Sequence, residues 1–138
     1  MSSGELKEAC LRKFLWVYAA ALVAMLVPDG IWLTWAGSHL YRPALGDLLA
    51  DSFQPVPAIL FYLIYVAGLT ALSRAETVFA SAARGALFGF SAYATYDLTN
   101  EATLRQWPAY LTAADLAWGT VLSAFAALVA ALVRRRLA

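Results

Sequence analysis

Cysteine is almost absent from the 138 residues: Cys10 stands alone, so no disulfide can form within one chain. Charge is scarce too, with ten basic and nine acidic side chains, well below the roughly one quarter of residues usual in soluble domains. The two signs nearly cancel, at +1, and this leaves no basic surplus to neutralise phosphates, so composition gives no support to nucleic acid as a partner and none is expected. What is abundant is apolar: 62% of the side chains, against roughly half in a water-soluble globule. A chain of one domain's length with this make-up belongs in a bilayer.

A membrane-spanning helix needs roughly 20 mostly apolar residues, and four windows supply them: 14–36, 56–73, 82–100 and 113–133. The expected fold is therefore all-α, a single multi-pass membrane domain over 1–138 built as a bundle of four transmembrane helices. Pro28, Asp29 and Gly30 interrupt the first window. Residues 14–27 alone would cover only about 21 Å of a hydrocarbon core roughly 30 Å thick, so the helix must continue past the proline and take Asp29 into the membrane. No small-x-small cleavage site follows this apolar run, which predicts an uncleaved anchor rather than a signal peptide. Cys10 precedes the run instead of following it, and so predicts no lipoprotein processing.

Basic residues in short loops stay on the cytoplasmic side. Lys7, Arg12, Lys13, Arg74, Arg84 and Arg134 to Arg136 flank one side of the expected helices, against Arg42 and Arg105 on the other. Both termini are therefore expected to be cytoplasmic. In the first outer loop, Leu45, Leu48, Leu49 and Phe53 recur at helical spacing among Asp47, Asp51 and Gln54, which predicts a short amphipathic helix on the outer surface. A plain loop is the alternative.

Carboxylates inside a span cost roughly 2.5 to 3.5 kcal/mol each at the helix centre and so mark candidate functional positions. Asp29, Asp97 and Asp115 fall on three different helices, all in the outer part of the bilayer at 1.5 Å rise per residue. Asp97 continues a row of Gly85, Gly89 and Tyr93, and Asp115 heads a row of Gly119, Ser123, Ala127 and Ala131, so small residues at Gly85, Gly89, Gly119 and Ser123 would let these helices approach closely. Trp32, Tyr62, Tyr65, Tyr93, Asn100 and Trp118 are placed to join the carboxylates as donors and ligand contacts. Such a pocket could hold a proton for acid-base work or transport.

Each candidate also has a structural reading. Thr112 and Asp115 form a T-x-x-D capping box at a helix start. Asp29 could satisfy backbone freed by Pro28, and Asp97 could serve only as interhelical polar glue. Trp16, Trp35, Trp107, Tyr41 and Tyr110 read as interfacial belt residues, and His39 as a residue at headgroup level. Nothing in the spacing demands a metal, and no cofactor is implied.

Several strings carry a resemblance: Asp29-Gly-Ile-Trp-Leu33, Tyr41-Arg-Pro-Ala-Leu-Gly46, Phe61-Tyr-Leu-Ile-Tyr-Val-Ala-Gly68, Ala92-Tyr-Ala-Thr-Tyr-Asp-Leu-Thr-Asn100, Ala102-Thr-Leu104 with Trp107-Pro108, and Asp115-Leu-Ala-Trp-Gly119. Together they resemble a bacterial family of small membrane proteins known as domain of unknown function 2177, over nearly the whole chain. The loop at Arg74, Ala75 and Glu76 departs from it by being short. The resemblance implies four helices in a bacterial inner membrane and leans toward lipid metabolism; it assigns no catalytic residue.

The preferred expectation is an outer-leaflet acidic pocket that binds or modifies a lipid-like molecule, with Asp97 foremost among Asp97, Asp29 and Asp115. Whether it is an enzyme stays open. The rivals are a proton- or cation-linked carrier or channel subunit, and an accessory subunit whose small-residue rows pack against a membrane partner or a second copy. By predicted side, the charges sort into +5 within and −4 toward the outside, so the near-neutral total conceals a polarised chain.

Overall fold

The computed structural model describes residues 2–138. Four long helices run up and down: α1 (Ser3–Ala36), α3 (Pro55–Leu72), α4 (Val78–Thr103) and α5 (Ala109–Arg136). A short α2 (Arg42–Leu45) lies between the first two, and there is no strand among the described residues. The all-helical class with four long helices is the one the composition predicts. The stretch containing α1 and α2, together with α3 and α5, is long and apolar enough to cross a membrane by length and composition. Helix α4 falls short of that apolarity because Arg84, Asp97, Asn100 and Glu101 lie along it.

Helix α1 starts eleven residues before the expected boundary, at Ser3 instead of residue 14. A capping box starts it: the Ser2 amide donates to the Glu5 carboxylate (2.5 Å) and the Glu5 amide donates to the Ser2 hydroxyl (3.3 Å). Thirty-four residues at 1.5 Å each make a rod of about 51 Å, so its first turns overhang the bundle. Pro28 sits inside the helix without ending it. The helix then widens at Gly37–Tyr41 into a turn of π type before continuing as α2. Gly46, at φ 47°, ends α2 in a backbone conformation that side-chain-bearing residues rarely adopt.

The connection between α1 and α3 is thus helical only as far as Leu48. Residues 49–54 form bends and extended chain, not the rest of an amphipathic helix, and Phe53 is exposed at their tip. Pro55 and Pro57 then open α3, where their missing amides cost nothing.

Helices α4 and α5 form the most extensive contact in the molecule. The reason lies in side-chain size. A Cβ at Gly89 would strike the Gly119 carbonyl and the Ser123 side chain, one at Gly85 would sit 2.7 Å from the Ser123 carbonyl, and one at Gly119 would run into the Tyr93 ring. The two backbones are therefore nearly in contact. Val17, Ala21 and Met25 of α1 and Tyr65, Val66 and Leu69 of α3 close over Leu122, Ala126 and Ala130 of α5 to make a dry core nearer the end bearing both termini. Outward-facing Val23, Ile31, Ile64, Leu87 and Val121 stay exposed, as a lipid-facing belt requires.

Candidate functional site

The carboxylates collect at the opposite end of the bundle, where α1, α4 and α5 bring Asp29, Asp97 and Asp115 inward. They are 3%, 0% and 5% exposed. Their helix faces explain this: Ser81, Gly85, Gly89 and Asp97 are the buried residues of α4, and Asp115 shares its face of α5 with Gly119 and Ser123. Close glycine packing therefore draws the two aspartates together one and two turns beyond it.

Asp29 is fully engaged. One carboxylate oxygen accepts the Tyr62 hydroxyl of α3 at 2.6 Å and the other accepts the Trp118 indole N–H of α5 at 2.8 Å. Asp115 accepts the Tyr41 hydroxyl at 2.6 Å, and Tyr41 in turn receives the Trp32 indole N–H at 3.3 Å. The Trp32 and Trp118 rings stack at 4.7 Å with only 11° between their planes, tying the two halves into one network. Tyr65 bonds the Ser123 hydroxyl (2.7 Å) beneath it, and Tyr93 packs edge-on against Tyr65.

Asp97 differs. Both of its oxygens are buried and face the Asp115 carboxyl, with no hydroxyl, amide or indole donor directed at them. A proton held between the two carboxyls is the one donor this pair has of its own, and no donor from another side chain reaches Asp97. Leaving a buried acceptor unmet costs about 1–3 kcal/mol, more when it is charged. Among the described residues no hydrogen bond joins Asn100 to this network, and no group of three or more His, Cys, Asp or Glu side chains is arranged to hold a metal ion.

Several sequence readings change at this point. Because α5 starts at Ala109, Asp115 lies beyond its first turn and the T-x-x-D capping box with Thr112 is not made. Thr112 instead donates to Glu101 (2.7 Å) and accepts from Trp107 (3.1 Å), closing the α4–α5 connection. Trp107 and Tyr41 are half-buried and turn their polar tips to Thr112 and Asp115. Trp16, Trp35 and Tyr110 are half or more exposed on the periphery, and His39 stacks on Trp35 away from the network.

Tyr41 is the functional-site contact that periodicity misses, because the π turn that ends on it inserts a residue and changes the direction in which its side chain leaves the helix. Its hydroxyl is the one Asp115 contact contributed by the segment outside the long helices. Tyr41→Phe is expected to lower stability by about 1–2 kcal/mol, as the lost bond leaves both Asp115 and Trp32 short of a partner. A melting curve of the purified protein in detergent checks this, with Tyr110→Phe on the exposed surface as the unaffected control.

Compared with known families, the chain matches the one described as "Predicted membrane protein (DUF2177)" over residues 14–132 and belongs to that family. No curated protein and no solved structure matches it.

Proposed function

We propose that the protein is a multi-pass protein of a bacterial inner membrane, with both termini cytoplasmic, whose outer-leaflet acidic cluster binds or modifies a lipid-like molecule. The observation that carries this reading is Asp97: a fully buried carboxyl that faces the Asp115 carboxyl and receives no donor from any other side chain. A hydroxyl or ammonium from the head of an amphiphile would supply the donor Asp97 lacks.

Access from the lipid side is consistent with the shape of α3. Its buried residues Tyr65, Val66, Leu69 and Thr70 all lie in its second half, while Val56, Ile59 and Leu60 stay exposed. Near the cluster α3 is tied to Asp29 through the half-buried Tyr62. Swinging that phenol aside would open Asp29 to a molecule entering from the membrane.

The proton- or cation-coupled carrier fits less well. Below the cluster, Met25, Val66, Leu69, Leu122 and Ala126 are at most 2% exposed, and the buried hydroxyls of Ser123, Thr70 and Ser81 are taken up locally, by Tyr65, the Val66 carbonyl and Arg134 in turn. The deciding experiment is lipid profiling of a deletion strain complemented by the wild-type gene or by Asp29→Asn, Asp97→Asn and Asp115→Asn. The expected result is an altered lipid class that the wild type restores and Asp97→Asn does not. Identical profiles in the deletion and wild-type strains would overturn the reading, and proton flux through reconstituted protein would favour the carrier.

A further inference from the structure

The end of the bundle bearing both termini has a site of its own. The overhanging first turns of α1 lean over the ends of α3 and α5, and between them lies a cavity of about 430 Å³. Its floor is apolar, with Leu11, Phe14 and Val17, and its rim carries Lys7, Lys13, Arg74 and Arg134. A second cavity of about 540 Å³ adjoins it, shares Arg74 and Arg134, and adds Arg84, with Glu76 as the one acidic residue on its wall.

Arg84 and Arg134 are held in place but not neutralised. Arg134 donates to the Ser81 hydroxyl at 3.2 Å and Arg84 to the Arg74 carbonyl, while Arg135 reaches the Glu76 carbonyl at 3.4 Å. All three acceptors are uncharged. The first cavity has no acidic residue in its lining. Like charges gathered around Arg74 and Arg134 repel one another, and an anion between them would relieve that repulsion.

We propose that this cavity binds one anionic glycerophospholipid, its phosphate between Arg74 and Arg134 with Lys7 and Lys13 beside it, and an acyl chain along Leu11, Phe14 and Val17. A soluble phosphate would satisfy the cations but would leave the apolar floor unused. A zwitterionic lipid would cover the floor but bring its own cation to the rim. Only a lipid with net negative charge complements both surfaces. The site is separate from the aspartate cluster and does not depend on its function.

The test is retention of lipid by the purified protein, read by native mass spectrometry after exchange against phosphatidylglycerol or phosphatidylcholine vesicles. Phosphatidylglycerol is expected to remain bound at least tenfold more than phosphatidylcholine, and millimolar inorganic phosphate is expected not to displace it. Arg74→Gln with Arg134→Gln should abolish that preference. Lys7→Gln with Lys13→Gln, whose side chains make no hydrogen bond in the fold, should weaken it severalfold without touching stability. Arg135→Gln with Arg136→Gln removes the same charge outside the first cavity and should leave it intact. Equal losses in all three double variants would show diffuse attraction to the basic end and overturn the site. Displacement by free phosphate would overturn the lipid as its occupant.

Discussion

Alanine at Gly89 or Gly119 is expected to lower the melting temperature by roughly 5 to 15 °C, the equivalent of about 1–3 kcal/mol of overpacking. At Gly89 the new methyl would meet the Gly119 carbonyl, which is backbone and has nowhere to turn, as well as the Ser123 side chain. At Gly119 it would meet the Tyr93 ring, wedged against Tyr65 on its other side. Either change must push α4 away from α5, and with it Asp97 from Asp115. Gly30 and Gly37 provide the contrast, since nothing lies within 4 Å of a Cβ at either. Alanine there should be neutral or should stabilise by up to about 1 kcal/mol through helix propensity. Thermal unfolding of the four variants in one detergent checks both halves. Equal melting temperatures throughout would mean that the helices do not approach as closely as the structure has them.

That contrast also shows what periodicity can and cannot reveal. Gly85, Gly89 and Gly119 announce a close helix contact because residues four apart share a face, and a row of small side chains on that face has few other uses. The four long helices follow from apolar length in the same way. Their ends do not. The S-x-x-E signal at Ser2 and Glu5 marks the true start of α1, but it lies in a charged segment that a search for apolar runs passes over. Pro108 moves the start of α5 forward and turns Asp115 from a cap into an interior residue.

The polar network was legible in its membership more than in its bonds. Asp29, Asp97, Asp115, Trp32, Tyr62 and Trp118 gather at one end because depth along each helix is simple arithmetic. Which donor meets which acceptor depends on rotation between helices, and a 3.6-residue period carries no information about that. Tyr41 shows the limit most clearly: at regular helical pitch it reads as a surface ring, and the π turn at Gly37–Tyr41 brings it onto Asp115. Asn100 shows the converse, sharing depth with the cluster but no hydrogen bond with it.

Replacing Asp97 should cost the fold little or nothing, while replacing Asp29 should cost it several kcal/mol, and this reversal separates a binding group from a structural one. Asp29→Ala strands two buried donors, the Tyr62 hydroxyl and the Trp118 indole, at about 1–3 kcal/mol each. Asp29→Asn keeps one acceptor but turns an amide N–H₂ toward the other donor, so it should lie between wild type and Asp29→Ala. Asp97 receives no donor from elsewhere in the fold, and its one polar contact is with the Asp115 carboxyl. Asp97→Asn would place a donor beside Asp115, and Asp97→Leu would remove a buried polar group that no other side chain donates to, so both should melt at or above the wild type. A residue that weakens the fold by its presence is retained for something other than the fold. If Asp97→Asn and Asp97→Leu melt as far below the wild type as Asp29→Ala does, Asp97 is holding helices together, and the case for a ligand at this site loses its main support. If they melt higher yet fail to restore the lipid profile of a deletion strain, stability and function are separated at a single side chain.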